Sequence, residues 1–118
     1  MSSTAPQKQR NLVPVKVRAD AVLDSWRVSL FSFEWLDKEG RIRALEDMPL
    51  REREKREQAE KLIAQEGFDL PVLGIGLMDN IEIGAGKAIF LTLAARGDKE
   101  IDVLIPEGAQ KDFSSFLA

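Results

Sequence analysis

The sequence predicts one small α+β domain in which a β-hairpin feeds a buried helix. Three observations carry that expectation. Residues 71–83 form two short apolar runs around Asp79-Asn80, the stretch Ala88–Ala95 is apolar almost all round, and a long charged helical segment precedes both. A chain of 118 residues, 44% of them hydrophobic, with a mean hydropathy of −0.20, suits one globular core and leaves little room for a second.

Taken in order, residues 1–11 are polar and Ser/Gln-rich and read as a disordered basic tail dispensable for folding, leaving 12–118 as the domain. Leu12–Arg18 alternates in strand fashion, and Pro14 assigns it to an edge or a strand start. Val28–Trp35 reads as the better strand, with Val28 and Leu30 on one face and Phe31, Phe33 and Trp35 on the other. Asp37–Gly40 is then a turn, and Arg41–Leu45 a short returning strand.

Asp47 is the expected N-cap of a helix running from Pro49 to Glu66 and stopping at Gly67. Its first half, Arg51–Glu57, is all charged, with Glu52–Arg56 and Glu57–Lys61 at favourable i, i+4 spacing. The apolar anchors Ala59, Leu62 and Ile63 come later, so the helix is expected to dock by its C-terminal half and project a solvated first half, which also suits a partner-docking arm.

The hairpin should turn at Asp79-Asn80, which sets Gly76 opposite Ile83. Gly74 and Gly76 share a face and either make room for packing or admit a ligand. Gly84–Lys87 breaks the strand, the buried helix spans 86–96, and Glu100–Ile105 is a strand stopped by Pro106. Asp112–Leu117 closes the chain as a short amphipathic helix presenting Phe113, Phe116 and Leu117.

Composition narrows the chemistry. The chain has no Cys, no His and no Tyr, which excludes thiolate and imidazole nucleophiles or bases, disulfides and Cys- or His-ligated metals. Carboxylates, Lys, Arg, hydroxyls and backbone amides are what is left. The net charge is −3, unfavourable for coating DNA through phosphates. Residues 1–19 nevertheless carry four cations and no acid, against 13 basic and 20 acidic side chains beyond them. No apolar run reaches the roughly 18–20 residues of a membrane span, and the N-terminus has no secretory h-region, so no membrane association and a cytoplasmic location are expected.

One stretch has the makings of a binding site. A strand, then Gly84, Ala85, Gly86 and Lys87, then a helix would turn a set of free amides, a helix dipole and a lysine toward an anion such as a phosphate. The spacing is not that of a P-loop or a dinucleotide fingerprint, and a tight strand-to-helix turn with a solvated lysine accounts for the same residues. Glu82, on the strand entering the turn, and Asp79 are the carboxylates placed to help hold Mg²⁺ there; the alternative for Glu82 is a solvent-facing strand position.

Residues 81–105 resemble the core of the ParB/sulfiredoxin superfamily, in which a strand enters a Gly-rich phosphate loop, a helix follows and a Gly-x-Lys-x-Ile-x-Val segment starts the next strand. Gly86 looks like the loop glycine, and Gly97, Lys99, Ile101 and Val103 stand at similar spacing. Gly67-Phe-Asp-Leu-Pro71-Val72 is similar to the family's link into the hairpin, so the likeness covers roughly residues 55–105. It implies a nucleotide or nucleic-acid phosphate as ligand and, through the small plasmid fertility-inhibition members of conjugation systems, a mobile-element protein with weak metal-assisted nuclease or NTPase activity.

The departures are as informative. Ala88 and Ile89 stand where ParB-type loops carry phosphate-gripping arginines, the sulfiredoxin cysteine is missing, and no DNA-reading helical segment follows residue 105. The alternative is a non-enzymatic protein–protein interaction module that kept the fold and lost the chemistry, with another protein as partner. Trp26 and Trp35 serve either such an interface or the core.

Overall fold

Alternating burial along Leu12–Arg18 (β1) places Val17 fully inside and Lys16 and Arg18 outside, as a half-buried strand requires. It pairs antiparallel with Glu100–Pro106 (β4), whose Ile101, Val103 and Ile105 are buried at every second position. The structure, a computed structural model, describes residues 11–118, so the basic-tail expectation lies outside the described residues except at its last position. Asn11 belongs to the fold: its carbonyl accepts the Glu107 N–H at 2.8 Å. Two of the four N-terminal cations are likewise held within the fold. Lys16 pairs with Asp102 at 2.9 Å, and Arg18 donates to the Ser115 carbonyl.

Between β1 and the charged helix the chain departs from its expected course. Ala19–Trp26 forms a helix (α1) burying Ala19, Val22 and Trp26, an i, i+3, i+7 stripe. Val28–Trp35 is not a strand. Ser32 Oγ donates to the Arg27 carbonyl at 2.7 Å, the Ser29 N–H to the Trp26 carbonyl at 2.8 Å, and Phe31 turns through a left-handed φ of 69° into a short 3-10 turn, Ser32–Glu34. A serine side chain bonded to nearby backbone, as Ser32 is here, competes with a strand ladder. Arg41–Leu45 contributes only a single antiparallel bridge, Leu36 to Ile42.

The second helix, Leu50–Ala64 (α2), begins after Pro49 with no side-chain cap, so Asp47 does not serve as N-cap and instead ends a 3-10 turn, Leu45–Asp47. At its other end Glu66 takes the left-handed conformation, φ 56°, and the Gly67 N–H reaches back to the Leu62 carbonyl at 3.1 Å. That is a Schellman closure one residue ahead of the glycine. Contrary to expectation, α2 docks along its whole length. Glu52 and Ala59 are buried, and Arg53, Arg56 and Ile63 are half-buried on the same side.

Leu73–Ile75 (β2) and Ile81–Ile83 (β3) form the expected hairpin, but in a different register. Gly74 faces Glu82, Gly76 faces Asn80, and residues 77–79 form the loop, with Asp79 at φ 60°. A three-residue loop ending in a left-handed residue is a standard hairpin solution, and it moves the turn back from Asp79-Asn80. Lys87–Ala95 (α3) follows, with Ile89 through Leu93 all buried. It leads into β4, whose second edge meets the start of the hairpin through a parallel Val72–Leu104 bridge and a 2.8 Å bond from the Leu104 N–H to the Pro71 carbonyl.

Residues 107–118 close the chain as 3-10 turns, Glu107–Ala109 and Lys111–Phe116, that bury Phe113 completely. The domain is thus small, mixed α+β, with a hairpin feeding a buried helix. No helix among the described residues is long and apolar enough to cross a membrane.

Candidate functional site

The Gly-rich turn is built by stitching to the hairpin's entry. The Gly84 N–H donates to the Val72 carbonyl at 2.8 Å, and the Val72 N–H to the Ala85 carbonyl at 2.9 Å. Gly86 then starts α3 in the left-handed conformation at φ 81°, with its carbonyl accepting the Phe90 N–H at 3.0 Å and no side chain capping the helix. A Cβ at Gly86 would lie 3.0 Å from Pro71 Cα. Both the backbone angle and the close approach therefore require glycine.

Lys87 does not stand free in solvent. Its side chain is half-buried, with Nζ 3.8 Å from Oε1 of Glu52 on α2. Glu52 is 2% exposed and accepts the Trp35 indole N–H at 2.9 Å; its Oε2 lies 3.1 Å from Lys55 Nζ and 3.7 Å from Arg51 Nε. Arg51 also approaches Glu34 at 3.5 Å, and the Arg56 guanidinium lies 5.9 Å from the Trp35 ring centre. Burial pushes the Glu52 carboxyl up, but the indole hydrogen bond, Lys55 and Lys87 together outweigh it and hold the group below its ordinary 4.5. The anion next to this turn is the chain's own.

Sequence reasoning missed Glu52. The available signal was its register: positions 52, 56, 59 and 63 fall on one helical face, so the face carrying Ala59 and Ile63 also carries Glu52 and Arg56.

Glu82 is half-buried rather than solvent-facing. Ser29 Oγ donates to its Oε1 and Asn80 Nδ2 to its Oε2. Gly76 makes room for it, since a Cβ there would sit 2.8 Å from Glu82 Cγ. That resolves the Gly76 gap as packing. Asp79 lies exposed in the hairpin loop, and among the described residues no three or more acidic side chains gather as a metal set. With both Glu82 oxygens already accepting neutral donors, the residues present do not fit a Mg²⁺ ion.

A second feature lies on the Glu82 side of the hairpin. Residues 28–33 and the hairpin tip border a shallow, largely open groove. Val28, Leu30, Phe31, Phe33, Leu77 and Met78 line it at 55–106% exposure. Its polar members are satisfied internally: Glu82 by Ser29 and Asn80, Ser32 by the Arg27 carbonyl. No family model, characterised relative or solved structure matches this chain.

Proposed function

We propose that this chain is a non-enzymatic protein-interaction module, built on a domain that resembles the ParB/sulfiredoxin type and working through the apolar face of residues 28–33 and 77–78. The observation that carries the reading is six large apolar side chains, 55–106% exposed, grouped around one depression, the kind of clustered apolar surface that marks interaction sites. The Gly-rich turn supports it from the other side. Lys87, the cation nearest the turn, is engaged by a buried carboxylate, and with alanine and isoleucine at positions 88 and 89 there is little left to grip a nucleotide. Replacing Phe33 by a photo-crosslinking analogue in living cells should give a defined cross-linked protein species, absent when Leu30→Asp is added. A chain that cross-links to nothing at this face sinks the reading.

One observation favours a second reading, binding of a nucleotide or nucleic-acid phosphate at Gly84–Lys87. The turn keeps the left-handed glycine and the uncapped helix start that welcome an anion. Titration with ATP, CTP and short DNA, with and without Mg²⁺, tests it. With no arginine on the turn, affinity should lie in the high micromolar to millimolar range, and Lys87→Ala should lower it; sub-micromolar binding would restore phosphate chemistry as the main function.

A further inference from the structure

The cations that the Gly-rich turn lacks in sequence are brought to it in space. Lys87 at the start of α3, and Arg51 and Lys55 on α2, all come within 3.8 Å of the single Glu52 carboxylate. That carboxylate is buried, whereas the Arg51 and Lys55 side chains are 74% and 53% exposed. A second carboxylate, the largely buried Glu34, lies 3.5 Å from Arg51. Three cations thus meet two carboxylates, and each guanidinium or ammonium has more N–H donors than these contacts use. Without the carboxylates, such a cluster would suit an external anion. With them, an anion is already seated there.

We propose that Glu52, with Glu34 at the rim, is an internal counter-ion that closes the Gly-rich turn to phosphate, an autoinhibitory contact between α2 and the start of α3. This rests on the second reading above, phosphate binding at Gly84–Lys87, and names what restrains that site. The internal anion has the advantage of being fixed in advance. Its Oε1 accepts the indole N–H of the fully buried Trp35 at 2.9 Å, whereas an external phosphate gives up its freedom of motion on binding. Charge acts in the same direction. A carboxylate beside the cations repels an arriving phosphate and draws Lys87 toward α2. One positive charge remains in excess within the cluster, so the expected binding is weak rather than absent.

Calorimetric titration of the full chain with ATP and with inorganic phosphate, at low ionic strength and without Mg²⁺, tests this. Glu52→Gln removes one unit of negative charge beside the site and should tighten both by about 10-fold or more. Glu60→Gln makes the same change of net charge at an exposed position farther along α2 and should leave affinity unchanged. Glu52→Asp keeps the charge and should also show no gain. Adding Lys87→Ala to Glu52→Gln should abolish the gain. Thermal melts verify that each variant is folded; if Glu52→Gln does not fold, Glu34→Gln, which frees Arg51 alone, takes its place and should show a smaller gain. No gain in the folded variant, or an equal gain in Glu60→Gln, overturns the proposal, and weak binding by the unaltered chain then leaves the phosphate reading standing. Sub-micromolar binding by the unaltered chain also overturns it. A gain over an unaltered chain that binds nothing supports the counter-ion and removes the phosphate reading for the natural sequence. No binding by any of these chains removes both.

Discussion

Glu52 shows how one buried charge can organise its surroundings. Its carboxylate is held by an indole N–H and faces Arg51, Lys55 and Lys87, so three cations and one neutral donor offset its desolvation. Because its folded pKa is lowered, the stability it contributes is fully present above its ordinary 4.5 and is lost as pH falls through the lowered folded value. Glu52→Gln keeps an acceptor for Trp35 but removes the charge. It should cost roughly 1.5–3 kcal/mol at neutral pH, and the gap to the unaltered chain should close in acid; urea melts from neutral pH down to about pH 3 would show it. A gap independent of pH would mean that Glu52 does not act through its charge. Gly86 makes the complementary case for backbone. At φ 81° and with Pro71 Cα in the way, Gly86→Val should cost at least about 1–3 kcal/mol from the left-handed angle and overpacking. An unchanged melt would contradict the strained start of α3.

The helices and hairpin show which signals a sequence carries and which it hides. α3 was legible because Ala88–Ala95 is apolar on every side, and only burial on most sides is consistent with that. Its one polar member tests the point. Thr92 is buried, and its Oγ1 has no hydrogen-bond partner among the described residues, so Thr92→Val should raise stability by about 1 kcal/mol, whereas Phe90→Ala should lower it by about 3–5 kcal/mol. A destabilised Thr92→Val chain would mean the hydroxyl is hydrogen-bonded after all. The docking of α2 was legible only through the register that aligns Glu52 and Arg56 with Ala59 and Ile63, because counting apolar residues passes over a face made of Glu52, Arg53 and Arg56. The hairpin's existence could be read, but its register could not. A two-residue and a three-residue loop both fit Gly76–Asn80, and the choice is set by Asp79 taking a left-handed angle, which Asp tolerates. Val28–Trp35 misled for a different reason. Of its period-2 apolar pattern only Trp35 is covered in this chain, while Val28, Leu30, Phe31 and Phe33 stay exposed, and periodicity does not distinguish an exposed apolar face from one packed on a core. The same limit applies at the Gly-rich turn: its conformation could be foreseen, while the carboxylate beside Lys87 comes from a helix more than thirty residues earlier in the chain.

The architecture is closed by its two ends meeting. β4 is flanked by β1 on one edge and by the entry to the hairpin on the other, so it is the strand that unites the two small sheets. β1 would leave an open edge, and the C-terminal segment covers part of it: Val17 bridges Leu117, the Ala118 N–H donates to the Lys16 carbonyl at 2.9 Å, and Arg18 donates to the Ser115 carbonyl. Phe113, fully buried, anchors that segment to the core. The two ends of the described chain should therefore tolerate shortening very differently. A chain beginning at Asn11 keeps the carbonyl that accepts the Glu107 N–H and should melt at the temperature of the full chain. A chain ending at Pro106 loses Phe113, whose removal alone should cost about 3–5 kcal/mol, together with the cover over β1. Set against a total stability of roughly 5–15 kcal/mol for a domain of this kind, that loss should leave a broad, early or absent transition by circular dichroism. Phe113→Ala in the full-length chain separates the two contributions, keeping the backbone cover and removing only the ring. If the chain ending at Pro106 still unfolds cooperatively at the original temperature, residues 107–118 are an appendage and β1 needs no cover.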